Sequence, residues 1–196
     1  MPPTIDKTPI ELITTRRSVV AANMTDPGPN DEELDTIIAA GVRVPDHGRV
    51  GPWRIQIIRK EAQAKLGELY SKLFKEDNPD APDDLVEFNR QRPTRSPILL
   101  AVTFYPDPER YVKVPNSEQI LSCGALCQNI LNGAHALGYV AQWITEWPAY
   151  HAEVKKALGH DPATEIVGFI HIGSATEEPQ ERKRVGAEHV VSEWTG

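Results

Sequence analysis

A sheet sandwiched between helical layers is the fold class this 196-residue sequence predicts, and three observations carry it. Segments of helical periodicity alternate with short strand-like segments, the pattern of a layered sheet-and-helix domain. Residues 98–105 are almost all apolar, as a central strand covered on both faces must be. Residues 117–137 form the longest helical run, about 31 Å at 1.5 Å per residue. That run is rich in small residues (Ser122, Gly124, Ala125, Gly133, Ala134, Ala136), which let backbones approach closely, in this chain or against a second copy. With no internal repeat, low-complexity tract or second hydrophobic unit, residues 1–196 read as one domain, with residues 174–196 as a polar tail.

Each element has a local cause. Thr8-Pro9-Ile10-Glu11 is a helix start, with Thr8 as cap, Pro9 in the first turn and Glu11 closing a capping box; Ile10, Leu12 and Ile13 give the expected buried side. Asp26-Pro27-Gly28-Pro29 is a loop, after which Asn30 and Glu33 form a second capping box. Leu34, Ile37, Ile38 and Gly41 mark that helix's apolar stripe. Trp53, Ile55 and Ile57 alternate with Arg54 and Gln56, which predicts a strand. Helices follow over residues 60–74 and 84–91. The strand at 98–105 is stopped by Pro106 and Pro108. After the long helix, Gly138 gives a stop, residues 140–145 a short strand, residues 150–158 a helix and residues 165–172 a last apolar strand.

A net charge of −7 argues against non-specific nucleic-acid binding, yet cations cluster at Arg16-Arg17, over residues 43–59 and at Arg182-Lys183-Arg184. Local basic clusters on an acidic chain suit a small anionic ligand better than a polyanion. No apolar run approaches a membrane span and no leader is apparent, so a cytoplasmic protein without membrane contact is expected. Cys123 and Cys127 sit four apart on a helical pattern, awkward for a disulfide, and read as buried free thiols. No ligand set at metal-site spacing accompanies them.

Familiar catalytic signatures are absent: no nucleophile elbow, phosphate-binding Walker loop, zinc helix or Rossmann glycine fingerprint. Two stretches stand out instead. Arg16-Arg17-Ser18 ends the first helix and reads either as cations offsetting the helix dipole or as a phosphate clamp of rigid guanidinium forks and a hydroxyl. Residues 41–53, GVRVPDHGRVGPW, are a loop shaped by three glycines and two prolines and carry Arg43, Asp46, His47 and Arg49. Of the six histidines, only His47 lies in a shaped loop; His135 and His171 read as packed residues. Together these features suit a phosphorylated cofactor that brings its own chemistry.

In order and spacing, Arg16-Arg17-Ser18, Ala40-Gly41-x-Arg43-x-Pro45-Asp46-His47, Pro52-Trp53 entering a strand, Lys113-Val114-Pro115 before Glu118-Gln119, Trp143 at a strand end, and residues 166–173 resemble the nitroreductase family, in particular its small, minimal YdjA-type branch. The resemblance covers residues 8–176. It implies an α+β fold, an α/β/α sandwich with a central mixed sheet, dimeric, with FMN at the dimer interface. Carried over by position, Arg16, Arg17 and Ser18 would hold the FMN phosphate and ribityl chain. Arg43 and His47 would reach the FMN of the partner chain, and Trp143, Ile144 and Thr145 would line the flavin ring. The implied activity is hydride transfer from NAD(P)H through FMN to an electron-poor acceptor such as a nitroaromatic or quinone, by a ping-pong scheme with no acid or base of the protein's own. The alternative is a flavin-binding or flavin-handling protein that does not turn over NAD(P)H. Three positions depart from the family pattern: Val20 where a Lys is frequent, Gly51 where a Gln is frequent, and Ile144-Thr145-Glu146 in the turn after Trp143. Arg49, Lys183, Arg184 and a tail wrapped on the partner are left open as further contributors.

Overall fold

The computed structural model describes residues 7–106 and 113–196. Residues 1–6 and the expected strand stop at Pro108 lie outside them. The sheet is built around β5 (Glu165–Ala175). On one side β5 pairs antiparallel with β3 (Ile98–Phe104), from Ile98↔Ile172 to Phe104↔Glu165. On the other it pairs antiparallel with β4 (Val140–Ile144), from Val140↔Gly173 to Ile144↔Phe169, and the two-residue β1 (Met24–Thr25) pairs antiparallel with the end of β5 at Ala175 and Ser174. β2 (Trp53–Ile58) adds antiparallel to the free side of β3. The parallel contact that makes the sheet mixed is a bridge between Ser18 and Ala141.

Every residue of β3 is buried, as its unbroken apolar run requires. Against one face lie α2 (Asp31–Gly41) and α5 (Asn116–Ala136), where Leu34, Ile37, Leu126 and Ile130 pack on Leu100, Val102, Ile170 and Ile172. Against the other lies α3 (Lys60–Asp77), where Leu66, Tyr70 and Leu73 meet Leu99, Ala101 and Phe169. The sheet therefore has helices on both faces, the sandwich that the alternation of periods predicts. Gly41 permits the closest approach in the first layer: a Cβ there would collide with Ile130 of α5.

Both predicted capping boxes form. Thr8 accepts from Glu11 N–H at the start of α1 (Pro9–Thr15), and Asn30 accepts from Glu33 N–H at 2.9 Å at the start of α2. The expected buried side of α1 is corrected: the helix buries no residue, and Ile10 and Ile13 are 66% and 61% exposed. Among the described residues α1 packs chiefly against α5, which leaves Ile10 and Ile13 of its apolar stripe uncovered. The helix expected at 150–158 forms as α7 (Ala152–Ala157), and an additional short helix, α6 (Glu146–Tyr150), precedes it; His151 between them is extended, and its ring accepts from Glu153 N–H. α4 (Asp83–Arg90) follows α3 as expected. In β2 the alternation is displaced at its end, since Ile58 is buried and Ile57 is exposed.

Cys123 and Cys127 are free and buried, and burial pushes both thiols up to about 12. His171 is buried against Ser96 Oγ at 2.8 Å, and burial drives its ring down to about 4, so it is neutral at pH 7. No helix among the described residues is long and apolar enough to cross a membrane.

Candidate functional site: a cationic corner and a shaped loop on one helix

The first part of the site is a corner where the chain leaves α1. Ser18 bridges Ala141, and Val19 N–H reaches Ala141 O, which lays residues 17–19 along the outer edge of β4. Gln142 secures the next turn by accepting from Ala21 N–H at 2.7 Å. Beyond that bridge the outer edge of β4 has no strand partner among the described residues. Trp143, Ile144 and Thr145 continue along it, so Ser18 and Thr145 are joined by about four residues of strand, or about 13 Å.

The corner concentrates positive charge in a desolvated place. Arg17 is only 9% exposed. Arg16 Nη1 and Arg17 Nε are buried without a hydrogen-bond acceptor among the described residues. Burial, then the nearby charges of Arg184 and Arg17, push the Arg16 guanidinium below its usual range. The tail thus contributes: Arg184 stands near Arg16, and Glu181 forms an ion pair with Arg17. Under the corner, on α5, His135 points Nε2 at Arg17 O and Nδ1 at Leu131 O, both at 2.8 Å. Buried donors without acceptors are costly, and guanidinium donors more so. The corner is chemically suited to a multi-oxygen anion; Ser18, exposed beside it, adds a hydroxyl.

The ring end is firmly set. Trp143 donates through Nε1 to Val167 O at 3.1 Å and lies on Gly168, where any Cβ would collide with the indole. Thr145 precedes α6, and Glu146 has φ +46, an unusual angle for a side chain with a Cβ. Glu146 is tied to Arg92, whose Nε donates to Asn89 Oδ1; the same oxygen accepts from Trp147 Nε1 at 2.8 Å. The turn after Trp143 is thereby anchored to α4.

The second part is the loop at 41–52. Asp46 organises it, accepting Val50 N–H at 3.1 Å and Gly51 N–H at 2.9 Å. Gly48, Arg49 and Gly51 all take positive φ, which explains the glycines. The loop is pinned to α5 from below: Ser122 donates to Pro45 O, Asn129 to Arg43 O, and Cys123 to Pro52 O. His47 pairs with Glu118 at 2.6 Å, and both are about half exposed. Arg43 is exposed.

The structure brings Arg16, Arg17, Ser18, Trp143, Ile144 and Thr145 to one edge, and leaves Arg43 and His47 apart from them. Along α5, His135 marks the corner and Glu118 marks His47; seventeen residues separate them, about 25 Å of helix. Sequence reading missed Gln142, Asn129, Glu118 and the supporting role of His135. A signal existed: α5 carries Gln119, Ser122, Asn129 and His135 among its apolar and small residues, and polar groups on a packed helix need a partner.

A model of the nitroreductase family matches residues 13–174. A protein of Escherichia coli (strain K12), named "Putative NAD(P)H nitroreductase YdjA", is 30% identical over 169 residues, which cover 84% of this chain and 87% of that protein. Two solved structures share the fold. A nitroreductase-like family protein from Bacillus cereus superposes with TM-score 0.82 at 21% identity, covering 99% of this chain and all of that one. A variant of the FMN and NADPH-dependent nitroreductase NfnB from Sphigopyxis sp. strain HMH gives TM-score 0.78 at 19% identity, covering 97% of this chain and all of that one. Through the matched span and the fold it encodes, this chain belongs to the nitroreductase family.

Proposed function

We propose that the chain is an FMN-dependent oxidoreductase that uses NAD(P)H to reduce an electron-poor acceptor such as a nitroaromatic or quinone, with donor and acceptor occupying one pocket in turn. The observation that carries it is the pair of buried guanidinium donors, Arg16 Nη1 and Arg17 Nε, that have no acceptor among the described residues. A phosphate of charge near −2 supplies oxygens to both. When bound, FMN supplies the chemistry, taking a hydride from the nicotinamide and giving it up to the acceptor.

The residues' work is to bind and orient. Arg16, Arg17 and Ser18 hold the phosphate end. Beyond the Ser18–Ala141 bridge, the outer edge of β4, without a strand partner among the described residues, offers backbone N–H and C=O groups to the polar rim of the flavin ring, across a span that a flavin with its ribityl chain would bridge. Trp143, fixed by Gly168 and Val167, supplies a rigid apolar wall that excludes water. The Arg92–Glu146 tie keeps the turn at Thr145 in one shape.

The chain acts as a homodimer. His47, beside Glu118, stands about 25 Å of helix from the corner, and Arg43, beside Asn129, about 9 Å; both are exposed and serve the flavin of the second copy. Ile10, Ile13 and Leu121, 61–71% exposed, form the kind of apolar surface that a second copy covers. The polar tail, with Trp194 90% exposed, extends over the partner. The cytoplasm, with its reduced thiols and nicotinamide pool, is the expected compartment.

The test is the visible absorbance of the purified protein before and after anaerobic NADH and NADPH. Flavin bands that bleach support the proposal and name the donor. Bands that resist both donors point to flavin carriage without turnover. Protein that is colourless and takes up no added FMN sinks the reading.

A further inference from the structure

His135 sits in an arrangement that a neutral imidazole cannot satisfy. Both ring nitrogens face carbonyl oxygens at 2.8 Å, Leu131 O from the preceding turn of α5 and Arg17 O from the corner. A neutral ring has one N–H and one lone pair, so one of these contacts sets a lone pair against a carbonyl oxygen. Only the imidazolium donates to both.

Burial opposes that charge most strongly; the two carbonyls favour it, and the positive charges of Arg16 and Lys7 oppose it. The remaining charges around the ring act through the arginine pair: Arg184 beside Arg16, and Glu181 on Arg17. Burial therefore does most to hold the ring in its neutral form, and the charge of Arg16, one of the cations of the corner, adds to it. The Arg17 carbonyl also has structural weight. The Arg17–Ser18 peptide is trans and planar, so tying its oxygen to His135 points the Ser18 N–H to the opposite side, away from the helix.

We propose that His135 is a positioning residue of the phosphate corner, which takes up a proton from solvent as phosphate binds and then donates to both carbonyls. An anion of charge near −2 at the corner offsets the charge of Arg16 and adds a negative field of its own, which favours the imidazolium against the cost of burial. The proton comes from bulk buffer and no other bond changes. Binding and protonation are thus linked: affinity for the phosphate rises as pH falls. This rests on the corner being the phosphate site of the proposed function.

The experiment is titration calorimetry of the flavin-free protein with FMN, in buffers of different ionisation enthalpy, for the wild type and His135→Gln. Gln keeps one donor toward Arg17 O and cannot titrate. The phosphate's own proton is common to both proteins and cancels in the difference. The wild type is expected to take up a larger fraction of a proton per FMN than the variant. Its affinity should gain about fivefold over the variant's between pH 7.5 and pH 6. Riboflavin, lacking the phosphate, should show no difference in proton uptake between the two. Equal proton counts and equal pH slopes with FMN overturn the inference while leaving the site intact. Failure of the wild type to bind FMN overturns the site as well. If His135→Gln does not fold, the ring nitrogens of the wild type can be read by NMR with and without inorganic phosphate: a shift toward the imidazolium supports the proposal, and an unchanged ring overturns it.

Discussion

The corner at Arg16–Ser18 and the loop at 41–52 both place cations against α5, but they treat the charge differently. In the corner Arg17 is buried and Arg16 half-buried, one donor of each lacks an acceptor among the described residues, and a carboxylate paired with Arg17 arrives from the tail. In the loop His47 and Arg43 are exposed, His47 already has Glu118, and Asp46 spends its carboxylate on the loop's own backbone. The corner is short of negative charge, whereas in the loop His47 and the backbone already have carboxylate partners. That asymmetry separates a group that waits for a ligand from a group that shapes a wall.

The sharpest way to break this comparison is the double substitution Arg16→Ala, Arg17→Ala. Each charged hydrogen bond to the phosphate contributes about 1.5–3 kcal/mol, so losing two lowers FMN affinity on the order of 100-fold or more. The stability of the flavin-free protein should hold or rise, because the change removes buried donors that lack acceptors. Fluorescence titration with FMN and thermal melting read the two effects. Affinity within threefold of wild type would show that the phosphate sits elsewhere.

Asp46→Ala is expected to have the opposite signature, a loss of stability with the corner unaffected. It removes the acceptor of two backbone N–H groups in a loop with three residues at positive φ. The cost is about 2 kcal/mol, measured by denaturant unfolding, and Asp46→Asn restores part of it through its remaining carbonyl oxygen. A loss below about 0.5 kcal/mol would mean that the glycines and α5 alone hold the loop.

Much of this was legible in the residues. The capping boxes at Thr8 and Asn30, the buried β3 and the α2 stripe all follow from local patterns, because there the local preference and the tertiary environment agree. Reading α1 as buried failed for a physical reason: an apolar stripe specifies that a surface will be covered, not by which chain. The helix break at His151 escaped because it depends on a cap that the ring supplies. In the site, Arg16-Arg17-Ser18 and the Asp46 loop announced themselves through residue type, while Gln142, Asn129 and His135 did not. Those three act over sequence separations of 86 to 121 residues, set only when β4 and α5 are in place.

The smallest expected effect tests the loop's function rather than its shape. The His47–Glu118 pair is exposed on both sides, so screening leaves it little energetic value in the free protein. His47→Gln should therefore change stability by less than about 0.5 kcal/mol. If the loop faces the flavin of the second copy, the same substitution weakens FMN binding severalfold, and it does so only in the dimer. Measuring FMN affinity across the monomer–dimer transition separates the cases. A loss that grows with the dimer fraction places His47 at a shared site, whereas a loss independent of concentration, or none, confines the loop to its own chain.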